Sequence, residues 1–137
     1  MKLSDNTLTI LKNFAGINNS ILVKKGNKLR TISVAKNILA EASVDEEFPC
    51  DFAVYDLNQF LNVNTTLFNA PDLDFNNDGY VVIREGKSRQ RFFFADPNVI
   101  VIPPDKDITL PSEDVSFELS TEQLDKLLKA ASINQLP

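Results

Sequence analysis

Residues 3–18 read LSDNTLTILKNFAGIN, and residues 119–134 read LSTEQLDKLLKAASIN. Without a gap, Leu3/Leu119, Ser4/Ser120, Leu8/Leu124, Leu11/Leu127, Ala15/Ala131, Ile17/Ile133 and Asn18/Asn134 are identical, where ordinary composition gives about one match. Both copies carry leucines three and four apart behind a serine, the pattern of an N-capped amphipathic helix. Repetition at a fixed offset marks a duplicated unit, here about a hundred residues long rather than the 20 to 50 of a solenoid repeat. The chain therefore reads as one whole unit over residues 1–96, a connector over 97–114, and the first strand and helix of a second unit over 115–137.

Outward from the first helix, whose apolar side is Leu8, Leu11, Phe14 and Ala15, the pattern turns β-branched. ILVKK runs into a Gly26-Asn27 turn, then LRTISV, ILAEASV and FPCDFAVY, in which Phe48, Cys50, Phe52 and Val54 alternate; these read as short strands joined by hairpins. Asp56 opens a second helix, LNQFLNV, with Leu57, Phe60 and Leu61 inward and the uncharged Asn58, Gln59 and Asn62 outward. DLDF, YVVIRE and RQRFFFA are three further strands. Pro97, Pro103, Pro104 and Pro111 make the connector extended, since proline resists helix and central strand alike. After it VSFEL alternates as a strand, and Ser120 with Gln123 forms a capping box. The fold class is α+β, an antiparallel sheet with two helices packed on one face.

The chain of 137 residues has room for one domain with a real core. It has no apolar run long enough for a signal peptide or membrane helix, so it reads as soluble and unexported. Cys50 stands alone and reads as a buried thiol in a reducing compartment. There is no histidine, which removes the usual histidine-based nucleophile pairs and zinc sites. No glycine-rich phosphate loop or paired-carboxylate constellation takes their place, so the chain is read as no enzyme, with no cofactor. A net charge of −5 excludes coating of nucleic acid by a basic surface, though not a basic stripe on an acidic body.

Asp74, Asn76, Asp78, Gly79 and Glu85 match every specified position of a calcium-binding helix–loop–helix motif. The context opposes it: Pro71 precedes the loop and YVVI follows. Asn77, Asp78 and Gly79 supply the left-handed backbone of a hairpin instead, so no metal site is expected. Basic residues repeat with the helices: Lys2 and Lys12 belong to the first and Lys126 and Lys129 to the second, off the apolar stripe. The acidic excess lies elsewhere, in VDEEF, PDLDF, PPDKD and PSED.

The opening MKLSDNTLTILKNFAGIN, the stretch AEASVDEEFPCDFAVYDLNQFL, the strand end FFFADP and the helix LSTEQLDKLLKAAS resemble the sliding clamps, or DNA polymerase processivity factors, of T-even-like bacteriophages. The resemblance runs along the whole chain. It implies the DNA-clamp fold, two such domains per subunit with sheets outside and helices inside, and three subunits closing head to tail into a homotrimeric ring. Its implied partners are double-stranded DNA held without sequence preference, a DNA polymerase and a clamp loader, in the cytoplasm of an infected bacterial host, with no membrane. The family continues through a complete second domain beyond Asn134, which implies a truncated clamp.

Carried across residue by residue, the resemblance puts Lys2, Lys12, Lys126 and Lys129 toward DNA phosphates, with Asn13 and Asn62 adding polar contacts. It puts a partner-peptide pocket at Ile32, Asn37 and Leu39 with Ile108 and Leu110 of the connector. It makes the strand carrying Arg89, Arg91, Phe92, Phe93 and Phe94 the edge that meets the next subunit. The alternative reading is a small protein-binding module that docks partner peptides without encircling DNA. A third is a calcium-responsive domain built on residues 74–85.

Overall fold

In the computed structural model, which describes residues 1–104 and 118–134, the backbone divides into two compact units, Met1–Asp105 and Lys106–Pro137. The first begins with helix α1 (Asp5–Ile17). Ser4 caps it: the Thr7 backbone N–H donates to Ser4 Oγ at 3.2 Å, meeting one of the donors that a helix start leaves open. Thr7, Leu11 and Phe14 form its buried face. Thr7 belongs to that face because its hydroxyl lies 3.0 Å from Ser4 Oγ, so its polar atom enters the interior with a partner.

Among the described residues seven strands follow, β1 (Ile21–Val23), β2 (Gly26–Ile32), β3 (Leu39–Phe48), β4 (Phe52–Val54), β5 (Asp72–Asp74), β6 (Tyr80–Glu85) and β7 (Ser88–Phe93). They form three antiparallel sheets, β1–β4, β2–β3 and β5–β6–β7, where the sequence suggested one. Two details of the sequence reading change. Gly26 and Asn27 are not a turn: Gly26, at φ 117°, opens β2 opposite Phe48, and the bend falls at Lys24–Lys25. FPCDFAVY is not one strand either, because Pro49 interrupts it. β3 ends at Phe48, β4 is buried at all its positions, and Cys50 sits half-buried in the bend rather than inside.

Helix α2 (Leu57–Asn62) buries Leu57, Phe60 and Leu61 as its spacing requires, and Asp56 caps it. It runs on into a π-helical turn (Val63–Leu67) that buries Val63 and Asn64. Asn19 joins the two helices: its Nδ2 donates to Asp56 Oδ1 at 3.0 Å and its Oδ1 accepts the Asn58 backbone N–H at 3.0 Å. Helix α1 packs against α2, β2 and β3. The core lies between this helical layer and the strands, with Leu29, Val81 and Ile83 fully buried. Each such side chain contributes about 1.5–3 kcal/mol by leaving water. Four rings, Phe48, Phe52, Phe75 and Phe94, close one end, with the Phe52 and Phe75 centroids 5.0 Å apart.

The proline-rich segment begins with a short 3-10 turn (Pro97–Val99) rather than extended chain, with Pro97 in the first turn, where its missing N–H costs nothing. Residues 97–104 then stay with the first unit. Asn18 Nδ2 donates to Ile32 O at 3.0 Å and Val101 O at 3.2 Å, and Arg30 Nη1 donates to Pro104 O at 2.7 Å. The rest of the connector, and most of VSFEL, lie outside the described residues. In the second unit, helix α3 (Thr121–Ile133) carries the expected capping box, Ser120 with Gln123. Among the described residues, no helix is long and apolar enough to cross a membrane.

Candidate nucleic-acid and partner interfaces

Helices α1 and α2 leave a groove of about 500 Å³ between their outer faces. Leu8 and Leu61 supply its apolar lining, and Asp5, Lys12, Asn62 and Thr65 are among its polar residues. Of the residues the sequence assigned to DNA, Lys12 and Asn62 line this groove, whereas Lys2 and Asn13 are exposed outside its lining. Lys126 and Lys129 are exposed on α3, in the second unit. Thr65 and Thr66 also line the groove and escaped the sequence reading. They are there because the π-helical turn prolongs α2 past Asn62, and hydrophobic spacing at 3.6 residues gives no sign of a π turn.

The surface is nearly neutral, with the Lys12 ammonium set against the Asp5 carboxylate in the lining. Asp56, at the end of α2, is held below its ordinary pKa, first by the Gln59 backbone N–H and then by the Asn19 side chain. Threonines, asparagines and one lysine can hydrogen-bond a phosphate backbone loosely.

The turn between β2 and β3 is tied by Ser33, whose Oγ accepts the Asn37 and Ile38 backbone N–H groups at 3.2 and 3.1 Å. Lys36 takes the left-handed φ of 61° that closes it. Of the proposed pocket residues, Ile32 is 8% exposed and belongs to the interior, Leu39 is half-buried, and Asn37 is exposed. The apolar surface at this turn comes from Val34 and Ile38 instead, 68% and 52% exposed. Ile108 and Leu110 lie outside the described residues.

Among the described residues, strand β7 is an edge of its sheet. Its residues divide by alternation. Phe92 faces the core, its ring 5.2 Å from that of Phe60, and Phe94 beyond the strand end stacks on Phe52 at 5.1 Å. Phe93, Arg91 and Arg89 face the other way, opposite Tyr80, Val82 and Arg84 of β6. Thus Phe92 and Phe94 serve packing, and the arginines project from the sheet face while the strand's open backbone forms the edge itself.

The residues matching a calcium loop form the β5–β6 hairpin. Asp74 Oδ1 accepts the Asn76 backbone N–H at 3.0 Å, and Gly79 takes the φ of 83° that glycine supplies without strain. Glu85, which would be the bidentate ligand, instead accepts the Asn69 and Ala70 backbone N–H groups at 3.0 and 2.8 Å.

Comparison with known proteins gives one family match, DNA polymerase processivity factor, over residues 3–102. The chain is 36% identical over 135 residues to a protein named sliding clamp from Vibrio phage KVP40, covering 96% of this chain and 60% of that one. It is 37% identical over 131 residues to the sliding clamp of Escherichia phage RB69 and 34% identical over 131 residues to that of Enterobacteria phage T4, covering 57% of each. The chain therefore spans somewhat under two thirds of the length of these relatives.

Proposed function

The chain belongs to the DNA polymerase processivity factor family, and from that premise we propose that it acts, without enzymatic chemistry, as part of a sliding clamp that tethers a DNA polymerase to its template. The observation that carries this reading is the helical surface. Two packed helices present Lys12, Asn13, Asn62 and Thr65 outward while their apolar stripes are buried against strands. A surface of that kind suits contact with DNA that must slide. Its contacts are weak, non-directional and indifferent to sequence, so no position along the duplex is a trap.

On this reading the α1–α2 surface, with Lys2 beside it and Lys126 and Lys129 on α3, lines a channel for double-stranded DNA. Three subunits form the ring, with the open backbone of β7 as one subunit edge, since an unpaired strand edge is a template for pairing. A clamp loader opens the ring, and the polymerase docks at the turn bearing Val34, Ile38 and Leu39 beside the connector. The setting is the cytoplasm of an infected bacterium. Retention on DNA tests the proposal: the protein is loaded on nicked circular and on linear plasmid, then passed through a sizing column at high salt. Retention on the circle that is lost when the circle is cut supports encirclement. Equal retention on both, or none on either together with a monomeric mass by light scattering, overturns it for this chain.

A further inference from the structure

The outer face of the β5–β6–β7 sheet gathers arginines on an acidic protein. Register pairs Arg84 directly with Arg89 and Val82 with Arg91, so the Arg84, Arg89 and Arg91 side chains all project from the face opposite Val81, Ile83 and Phe92. They line a cavity of about 340 Å³ with Tyr80, Val82 and Asp74. Arg84 is partly compensated, by Asp72 Oδ2 and Asp74 Oδ2, each at 3.7 Å. Arg89 and Arg91 form no ion pair among the described residues; the Arg91 guanidinium instead lies 5.2 Å from the Tyr80 ring centre. Like charges directly opposite across strands destabilise a sheet. The fold thus carries the Arg84–Arg89 pair at a cost, in a chain whose net charge is −5.

We propose that this face is a docking site for an acidic segment of a protein partner, whose carboxylates enter the cavity between Arg84, Arg89 and Arg91 while its apolar side chains lie on Tyr80 and Phe93. The guanidinium fork takes a carboxylate in two parallel hydrogen bonds, and Tyr80 holds Arg91 in place for it. Charge complementarity selects the class of partner. An acidic segment is repelled by most of this protein and attracted here, which favours this encounter over others. A peptide fits better than a nucleic acid strand. Asp72 and Asp74 share the face, and Phe93 is 67% exposed beside Tyr80, at 5.6 Å between rings. A mixed surface of this kind matches a few carboxylates interleaved with apolar groups, whereas a continuous polyanion needs a broad basic surface. The site is separate from the helical groove and from the backbone edge of β7, so it does not depend on DNA encirclement.

The test is fluorescence anisotropy of a labelled peptide of alternating glutamate and leucine, titrated with the full chain at low and high salt. Parallel titrations use an alternating lysine–leucine peptide and a single-stranded oligonucleotide. Binding of the acidic peptide that weakens with salt, and falls roughly tenfold or more in Arg89→Ala/Arg91→Ala, is the expected result. Lys24→Ala/Lys25→Ala removes the same charge from the exposed bend before β2 and should leave binding unchanged. Because relief of the Arg84–Arg89 repulsion should leave the melting temperature of the arginine variant equal or higher, loss of binding is separable from loss of fold. No binding of the acidic peptide, equal loss in the lysine variant, or tighter binding of the oligonucleotide through the same arginines overturns the proposal.

Discussion

Asn18 shows how one residue carries more than its place in a pattern. In the sequence it is the last identity of the repeat, paired with Asn134. In the structure it is buried, and its amide donates to Ile32 O and Val101 O while its Oδ1 accepts the Ser20 backbone N–H at 3.0 Å. Among the described residues, the Asn134 amide donates back to Ala130 O of its own helix. Asn18→Ala leaves two carbonyls without their donor, so we expect a loss of about 1–3 kcal/mol in chemical denaturation, with faster hydrogen exchange around residues 97–104. Asp56 gives a pH-dependent counterpart. Its folded pKa is depressed from the ordinary 3.8 by the Gln59 N–H and the Asn19 amide. A depressed carboxylate contributes stability fully present above its unfolded pKa and lost as pH falls through the folded one. Asp56→Ala should therefore lower the melting temperature near neutral pH, and the gap from the parent should close as the pH is taken below the aspartate range. A gap that persists in acid would mean that the carboxylate charge contributes nothing. Neither role was legible from the chain for Asn18, because its partners lie 14 and 83 positions away. The Asp56 cap was legible because it is local.

At the scale of elements, the sequence placed α1, α2, α3 and the β5–β6–β7 hairpins correctly, and its misses have physical reasons. Helices and hairpins follow from caps, 3.6-residue spacing and turn glycines, all contained within a few residues. The single strand drawn through FPCDFAVY failed because the alternation of Phe48, Cys50, Phe52 and Val54 continues across the bend at Pro49 and Cys50, and periodicity alone does not register a break. The π-helical turn failed because the burial of Val63 and Asn64 is tertiary. Two expectations belong here. Ser120→Ala removes the cap of α3, worth about 1 kcal/mol, and should speed exchange of the α3 amides roughly fivefold. Leu29→Ala, at the fully buried centre of β2, should cost about 2–5 kcal/mol by urea titration, against little for the exposed Val34→Ala. The unequal visibility of the site has the same origin: Lys12 and Asn62 are readable from helix faces, whereas Thr65 and the convergence of Arg84, Arg89 and Arg91 depend on which elements lie side by side.

For the whole molecule, charge sets how the proposed contact with DNA should respond to salt. If Lys2, Lys12, Lys126 and Lys129 of three subunits are the phosphate contacts, at most about twelve in a ring, the logarithm of affinity should fall against the logarithm of salt with a slope no steeper than about −11. Lys12→Ala, which removes one contact from each subunit, should flatten it by up to about three units, and a slope well beyond about −11 would point to a different, larger basic surface. What the sequence determined by itself is whatever depends on neighbours in the chain: the repeated helix, the α+β class, the capped helix starts, the β5–β6 hairpin, and the family through extended stretches of identity. What only the tertiary structure decided is whatever depends on distant segments meeting. That includes the groove between α1 and α2, the interior position of Ile32 and Phe92, the connector pinned by Asn18 and Arg30, and the arginine face. The reason is that periodicity records which side of an element is apolar, while the packing of one element on another fixes what that side, and the side opposite, actually faces.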